Sequence, residues 1–98
     1  MPSITSKTFV GSVVKSGKTV NLYAATRTSA WTRTEEQALE VGKVLKSTLE
    51  ADPTLIPANT KEMILRESTH KSPADRIEHL TVVCKGDDGD VKTEHIPT

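Results

Sequence analysis

The sequence contains few of the residues that form disulfides, stack on nucleic-acid bases or span membranes. Its 98 residues include one cysteine, Cys84, and three aromatic residues, Phe9, Tyr23 and Trp31. A single cysteine excludes an intramolecular disulfide framework, and three aromatic rings are too few for the stacking platforms that bind single-stranded nucleic acid. The 13 basic and 13 acidic side chains balance, so no net charge favours binding to nucleic acid or to an anionic membrane.

Long apolar runs are also missing. No stretch approaches the roughly 20 apolar residues that a membrane span requires, and residues 1–4 lack the apolar segment of a secretory signal. We therefore expect a soluble, cytoplasmic protein, with secretion without a visible signal as the alternative. The length predicts one domain, over residues 1–98, built around a single core.

The segment from Thr34 to about Glu50 is long and periodic enough to form the main helix. Thr34 followed by Gln37 has the spacing of a capping box, and Asp52-Pro53 predicts the end of the helix because the residue before a proline disfavours helical geometry. The apolar face predicted from the three- and four-residue spacing consists of Ala38, Val41, Gly42, Leu45 and Leu49.

Residues 8–14 and 19–24 are rich in β-branched residues and flank Lys15-Ser16-Gly17-Lys18, which predicts a β-hairpin. Pairing Val14 with Thr19 predicts an inward face of Phe9, Val13, Val20, Leu22 and Ala24. The outward face then carries Val10, Ser12, Val14, Thr19, Asn21 and Tyr23. Gly11, inside the first strand, indicates a bulge or a close approach of another group to the backbone.

A second hairpin is predicted from residues 79–84 and 91–96, joined by the turn-forming residues 86–89. A four-residue loop pairs Cys84 with Val91, and a two-residue turn shifts this pairing by two residues. In both registers the side chains directed to the core are Leu80, Val82 and Cys84. We interpret Cys84 as a small core residue, not as a nucleophile, because free cysteines are usually buried.

The middle of the chain is less clearly patterned. Residues 61–68 fit either a strand, with Met63 and Leu65 inward, or a short helix capped by Asn59. We favour the strand because the segment is short and lies between two loops. Residues 72–75, Ser-Pro-Ala-Asp, have the start signals of a short helix.

A zinc or nickel site is the alternative role of the three histidines, His70, His79 and His95. No two of them have helical spacing, and both favoured registers of the second hairpin separate His79 from His95. Only a slip of one residue would bring those two onto one face. The acidic residues 87–90 are explained by turn formation. We therefore predict no metal and no cofactor.

Together these elements predict a small α+β domain: an antiparallel sheet of two β-hairpins, with or without a middle strand, and one main helix packed on one face. No nucleophile, base and orienting group occur at a recognisable spacing. We therefore expect a binding or interaction module, not an enzyme, that self-associates as a homodimer through its sheet, with another protein as the alternative partner. The competing hypothesis is a small enzyme or ligand carrier with a pocket near Trp31, Tyr23 and the C-terminal histidines.

Two groups of residues are candidate contact sites. Trp31 lies in a polar connector between Arg27 and Arg33, so it either covers the open end of the core or anchors a partner. Arg27, Arg33 and Tyr23 are therefore binding candidates with Trp31. The first strand lacks charge between its end lysines, so its outward residues Val10 and Val14, with Tyr23, are the predicted interface.

Overall fold

The computed structural model describes residues 4–71, 76–86 and 91–97, and the side chains of residues 4–66, 80–86 and 92–96. The elements in chain order are β1 (Ile4–Lys15), β2 (Lys18–Thr28), α1 (Glu35–Ala51), a 3-10 turn (Pro53–Leu55), β3 (Thr60–Lys71), β4 (Arg76–Gly86) and β5 (Val91–Pro97). The five strands form one sheet in the order β1-β2-β3-β4-β5. The predicted short helix at 72–75 and the acidic turn at 87–90 lie outside the described residues.

The α+β class with one helix is confirmed, but the sheet is mixed instead of two antiparallel hairpins. β3 pairs parallel to β2, with Leu22 beside Met63, and antiparallel to β4. The reason is the connection: α1 carries the chain back along the sheet, so β3 begins at the same end as β2. The strand prediction for residues 61–68 is confirmed, and Met63 and Leu65 are fully buried.

The helix is confirmed in position and in its cap. The Thr34 hydroxyl accepts a hydrogen bond from the Gln37 N–H at 3.1 Å, and the Gln37 side-chain oxygen accepts one from the Thr34 N–H at 3.0 Å. Ala38, Gly42, Leu45 and Leu49 are buried, and the fifth predicted residue, Val41, is partly buried. The helix packs this face against one side of the sheet. The largest fully buried side chains of the core are Leu22, Leu45, Leu49, Ile56, Met63, Leu65, Leu80, Val20 and Val82.

A β-bulge in β1 reverses part of the predicted face pattern. The predicted pairs Val14 with Thr19 and Val13 with Val20 are confirmed, but farther along Phe9 pairs with Tyr23. The extra residue at the bulge exchanges the orientations of the residues before it, because a shift of one residue turns every side chain to the opposite face. Phe9, predicted inward, is therefore 56% exposed on the face away from α1.

Val10, predicted on the outward face, lies on the helix side of the sheet. A Cβ atom added to Gly42 of α1 would lie 2.5 Å from Val10 Cγ2, so the glycine allows the helix to approach the bulge. Gly11, which we expected at a bulge, has a φ of +156°, a conformation that L residues rarely adopt.

The register of β4 and β5 also differs from both favoured alternatives. Cys84 pairs with Lys92, not with Val91, and Leu80 pairs with Ile96. This one-residue slip buries Ile96 beside Leu80 and leaves His95 opposite Thr81 on the other face. His79 precedes Thr81 by two residues in β4, so the predicted separation of His79 and His95 onto different faces is wrong. Either favoured register would have turned His95 toward the core, and burial of isoleucine in place of histidine accounts for the slip. The core positions of Leu80, Val82 and Cys84 are confirmed.

Candidate functional site

The sheet face opposite α1, here called the open face, carries no helix in the described part of the chain. Directly paired residues on it form a row across all five strands. In strand order they are Phe9, Tyr23, Ile64, Val83 and Thr93. Neighbouring pairs, such as Ser12 with Asn21 and Glu62 with Lys85, are polar. An apolar centre with polar flanks is the arrangement found in protein interfaces.

The accessible part of this apolar row is concentrated near β1. Ile64 and Val83 are only 2% and 9% exposed, so they offer little contact surface. Phe9 at 56% and Val14 at 63% are the exposed large hydrophobic residues among the described side chains. The exposed apolar groups on the β1 side of the open face are therefore the Phe9–Tyr23 pair and Val14, with the polar pair Ser12 and Asn21 between them. We call these three apolar residues the apolar patch.

Tyr23 is held in place by its neighbours on this face. Its ring meets that of Phe9 edge-on, with centroids 5.5 Å apart and planes at 68°, a geometry that aromatic quadrupoles favour. Lys7 Nζ lies 4.5 Å from the Tyr23 ring centroid and 3.8 Å from a Glu62 carboxylate oxygen. The two charged side chains are partly exposed, so the ion pair adds little stability. Together with the Phe9 ring, Lys7 and Glu62 restrict the orientation of the Tyr23 ring.

β1 is one of the two edges of the sheet. Between Lys7 and Lys15 its sequence, Thr-Phe-Val-Gly-Ser-Val-Val, has no charge and no proline, two of the devices that block an edge, and its local protection is the bulge at Val10 and Gly11. The other edge, β5, carries Lys92 and Glu94, whose charged groups are 3.1 Å apart. β1 is therefore the less protected edge.

The predicted interface residues do not all lie together. Val14 and Tyr23 are on the open face, whereas Val10 is directed to Gly42 of α1 and is not available there. Phe9 takes its place. Our sequence reasoning missed Phe9, and the signal that could have revealed it was Gly11, because a bulge at that position exchanges the faces of the residues just before it.

The connector residues form a separate group at the end of β2. The Thr28 hydroxyl accepts hydrogen bonds from the N–H groups of Ala30 and Trp31, both at 3.2 Å, and the Thr28 N–H donates to the Trp31 carbonyl at 2.8 Å. This local turn folds the connector back so that Arg27 pairs with Thr32. The polar sequence thereby places Trp31 against the sheet end.

Trp31 and Arg33 are brought together there. The Arg33 guanidinium carbon lies 4.1 Å from the indole centroid, and Arg33 Nη2 donates to the Arg66 carbonyl at 3.1 Å. Trp31 is partly buried and Arg27 is exposed. Tyr23 belongs to the open face with Phe9 and Lys7, so the four predicted binding residues divide between two places.

Cys84 and the histidines show no catalytic or metal-binding arrangement in the described part. Cys84 is 3% exposed, and burial, assisted by the Glu94 charge and opposed by Lys92, raises the pKa of its thiol to about 11. The thiol is therefore protonated at neutral pH and is a poor nucleophile. Among the described residues no three histidine, cysteine or acidic side chains form a group that could hold a metal ion. His95 Nδ1 is 3.3 Å from the Thr81 hydroxyl, and the side chains of His70 and His79 are outside the described part.

A groove of about 460 Å³ lies at the opposite end of β2 from Trp31, so it is not the pocket that we expected near Trp31 and Tyr23. It is formed by the β1–β2 turn and by residues 56–61. Three lysines line it, Lys15, Lys18 and Lys61, together with the apolar residues Val20, Ile56 and Pro57. From the sequence we interpreted Lys15-Ser16-Gly17-Lys18 as a turn and rejected it as a phosphate-binding loop, because it joins two strands and no helix follows it. Lys61 was not considered with it, because it is remote in sequence.

Comparison of the chain with known protein families, with curated proteins and with solved structures found no match. In the described part, no helix combines the length and the apolar character needed to cross a membrane. Function is therefore argued from the geometry of this chain alone.

Proposed function

We propose that the protein is a non-catalytic interaction module that forms a two-fold homodimer through the β1 edge and the adjoining apolar patch of the open face. The observation that carries this proposal is the exposure of Phe9 and Val14, at 56% and 63%, on an edge strand. Exposed aromatic and aliphatic side chains beside unpaired backbone groups are the features by which sheets recruit a further strand.

A second copy of the chain is the occupant that fits this edge. Consider two β1 strands paired antiparallel, with the two-fold axis at Ser12 and the bulge residues Val10 and Gly11 together opposite Val13 of the other copy. This arrangement places Phe9 of each copy opposite Val14 of the other. The symmetric contact therefore contains two equivalent Phe9–Val14 pairs and covers the exposed hydrophobic residues of both copies. Tyr23, already packed edge-on against Phe9, would extend the covered surface toward the centre of the sheet.

The same reasoning disfavours β5 as the contact. Its described residues Lys92, Glu94 and His95 carry charge or polarity, and two-fold pairing of such a strand would require desolvation of these groups. A separate observation, the lysine-lined groove, lies at the β1–β2 turn and not near Trp31 and Tyr23, where the competing hypothesis placed its pocket, and it does not use the apolar patch.

Sedimentation velocity over a concentration series tests the dimer. We expect a species of twice the 10.7 kDa chain mass at high micromolar concentration, and dissociation in Phe9→Lys and Val14→Lys. Both residues are exposed, so the variants should remain folded by circular dichroism. The matched control is Ala51→Lys, which adds the same charge at an exposed position of α1 and should leave the dimer intact.

The proposed register is tested by cross-linking. Phe9→Cys and Val14→Cys in one chain should give a disulfide-linked dimer on mild oxidation, because opposed residues of an antiparallel pair have the Cα spacing that a disulfide needs. Each single variant should not cross-link, since identical residues lie roughly 15 Å apart in this arrangement. A monomer at high micromolar concentration would refute the dimer, and a dimer unaffected by both lysine variants would refute this interface.

A further inference from the structure

The lysine-lined groove has a charge distribution that sets it apart from the rest of this electrically neutral chain. Among the described residues that line it, three are lysines and none is acidic, although the sequence has equal numbers of acidic and basic residues. Its volume of about 460 Å³ lies within the range of small-molecule sites.

Two of these lysines are held close together by the hairpin. Lys15 pairs directly with Lys18 across the two-residue turn, in which Ser16 and Gly17 both have positive φ. Like charges directly opposite each other destabilise a strand pair. An anion bound between them would remove this repulsion.

The position of Lys15 is fixed from the other side of the groove. Its ammonium group donates a hydrogen bond to the carbonyl of Ile56, which ties the turn to the loop after α1. An ammonium group has three N–H donors, so this contact leaves it able to donate to a ligand. Ile56 and Val20, both about 1% exposed, close the groove beneath the charges but offer little contact surface, so its accessible apolar lining is Pro57 and Ala58.

We propose that this groove, which Lys61 also lines, binds a small organic anion, in which a phosphate or carboxylate group contacts Lys15 and Lys18 and a compact apolar body lies against Pro57 and Ala58. The lysines act as point charges, which suits a phosphate or a carboxylate without demanding one planar geometry. The contact with Pro57 and Ala58 distinguishes such a ligand from a bare inorganic ion. This site is independent of the dimer contact, because the apolar patch does not line it.

Titrations followed by backbone amide NMR test the site with four defined probes: phenyl phosphate, benzoate, inorganic phosphate and benzyl alcohol. We expect saturable shifts from phenyl phosphate or benzoate, confined to residues 15–20 and 56–61. Whichever of the two binds more tightly identifies the anionic group. Inorganic phosphate lacks the apolar body and benzyl alcohol lacks the charge, so both should bind more weakly.

Variants that remove one positive charge show whether the anion binds in the groove or is attracted only by the net charge of the protein. Lys18→Gln should weaken binding of the preferred probe about fivefold, as expected for loss of one contact between unit charges in water. Lys43→Gln, an exposed helix lysine outside the groove, removes the same charge and should leave binding unchanged. Ala58→Phe, at an exposed lining position, should obstruct the groove and weaken binding without changing the charge.

The proposal is overturned by absence of saturable shifts at millimolar concentrations of both organic anions, or by shifts located mainly outside the two segments. Equal binding of benzyl alcohol would show that charge plays no part. Equal weakening of probe binding by Lys18→Gln and Lys43→Gln would show that the probe responds to the net charge of the protein and not to the groove. None of these results bears on the dimer, which is measured separately by sedimentation.

Discussion

The packing of α1 on the β1 bulge can be tested through the contact between Gly42 and Val10. A Cβ atom on residue 42 would lie 2.5 Å from Val10 Cγ2, 3.0 Å from Cγ1 and 3.3 Å from Cβ. Rotation of the valine side chain cannot relieve all three approaches, because Cβ does not move with χ1. Gly42→Ala would therefore force the helix or the bulge to move.

Two opposing terms set the size of the effect. Replacing a mid-helix glycine by alanine gains about 1 kcal/mol from helix propensity alone, whereas overpacking a close contact costs about 1 to 3 kcal/mol. We expect Gly42→Ala to lower the free energy of unfolding by about 1 kcal/mol. Val10→Ala removes both methyl groups from a partly buried position and should cost about 1 to 2 kcal/mol.

The double variant distinguishes this contact from a general effect on the helix. With Val10→Ala the space beside residue 42 is free, so adding Gly42→Ala should restore stability through propensity and renewed packing. The double-mutant cycle should give a coupling of about 2 kcal/mol, at the upper part of the range for residues in contact. Urea unfolding of the four proteins, followed by circular dichroism, measures it.

A helix site away from the sheet provides the control. Ser47 is exposed on α1, so Ser47→Ala should be slightly stabilising, by about half a kcal/mol, and should show no coupling to Val10→Ala. If Gly42→Ala stabilises the otherwise unchanged protein, or if its coupling to Val10→Ala is below about 0.5 kcal/mol, the close packing of α1 on the bulge is wrong.

Two further predictions concern the core. Leu45→Ala should lower the free energy of unfolding by about 2 to 5 kcal/mol because the side chain is fully buried, whereas the exposed Lys43→Ala should stay within about 0.5 kcal/mol; equal effects in urea would contradict the assigned buried face. Burial raises the pKa of the Cys84 thiol from 9.0 to about 11, so the unfolded chain loses this proton at a lower pH than the folded protein does. The stability that the neutral thiol contributes is therefore present below the unfolded-state pKa and is lost as the pH rises toward 11. Between about pH 8 and pH 11 the unchanged protein should lose on the order of 2 kcal/mol more stability than Cys84→Ala; parallel pH profiles would show that the thiol titrates normally.

Local signals determined the helix and half of the first hairpin. The Thr34 and Gln37 capping pair, the apolar spacing of α1 and the Asp52-Pro53 stop act within a few residues of the positions that they define, and each was readable from the sequence. The turn at residues 15–18 likewise sets the pairing of Val13 with Val20, because hairpin register follows from the turn. Val14 and Tyr23 on the open face followed from this register.

Predictions that depended on the strand register at positions far from the turn were less successful. Gly11 indicated a bulge, but a bulge of one residue reverses the faces of the residues just before it, so Phe9 and Val10 were exchanged. At the C-terminal hairpin three registers were open, and turn residues 86–89 did not decide among them. The register that occurs buries Ile96 beside Leu80, which depends on the core and not on the turn.

The sequence by itself therefore determined the elements, their approximate ends and the face of α1 that is buried, because capping, turn formation and helical periodicity are short-range effects. Only the tertiary structure decided that β3 lies parallel to β2 in the middle of the sheet, that α1 packs on the β1 bulge at Gly42, and that Phe9 lies exposed beside Tyr23. It also brought Lys61 to Lys15 and Lys18. These features require contacts between residues far apart in the chain, where burial of apolar surface and the two-residue periodicity of strand faces select among arrangements that are locally equivalent.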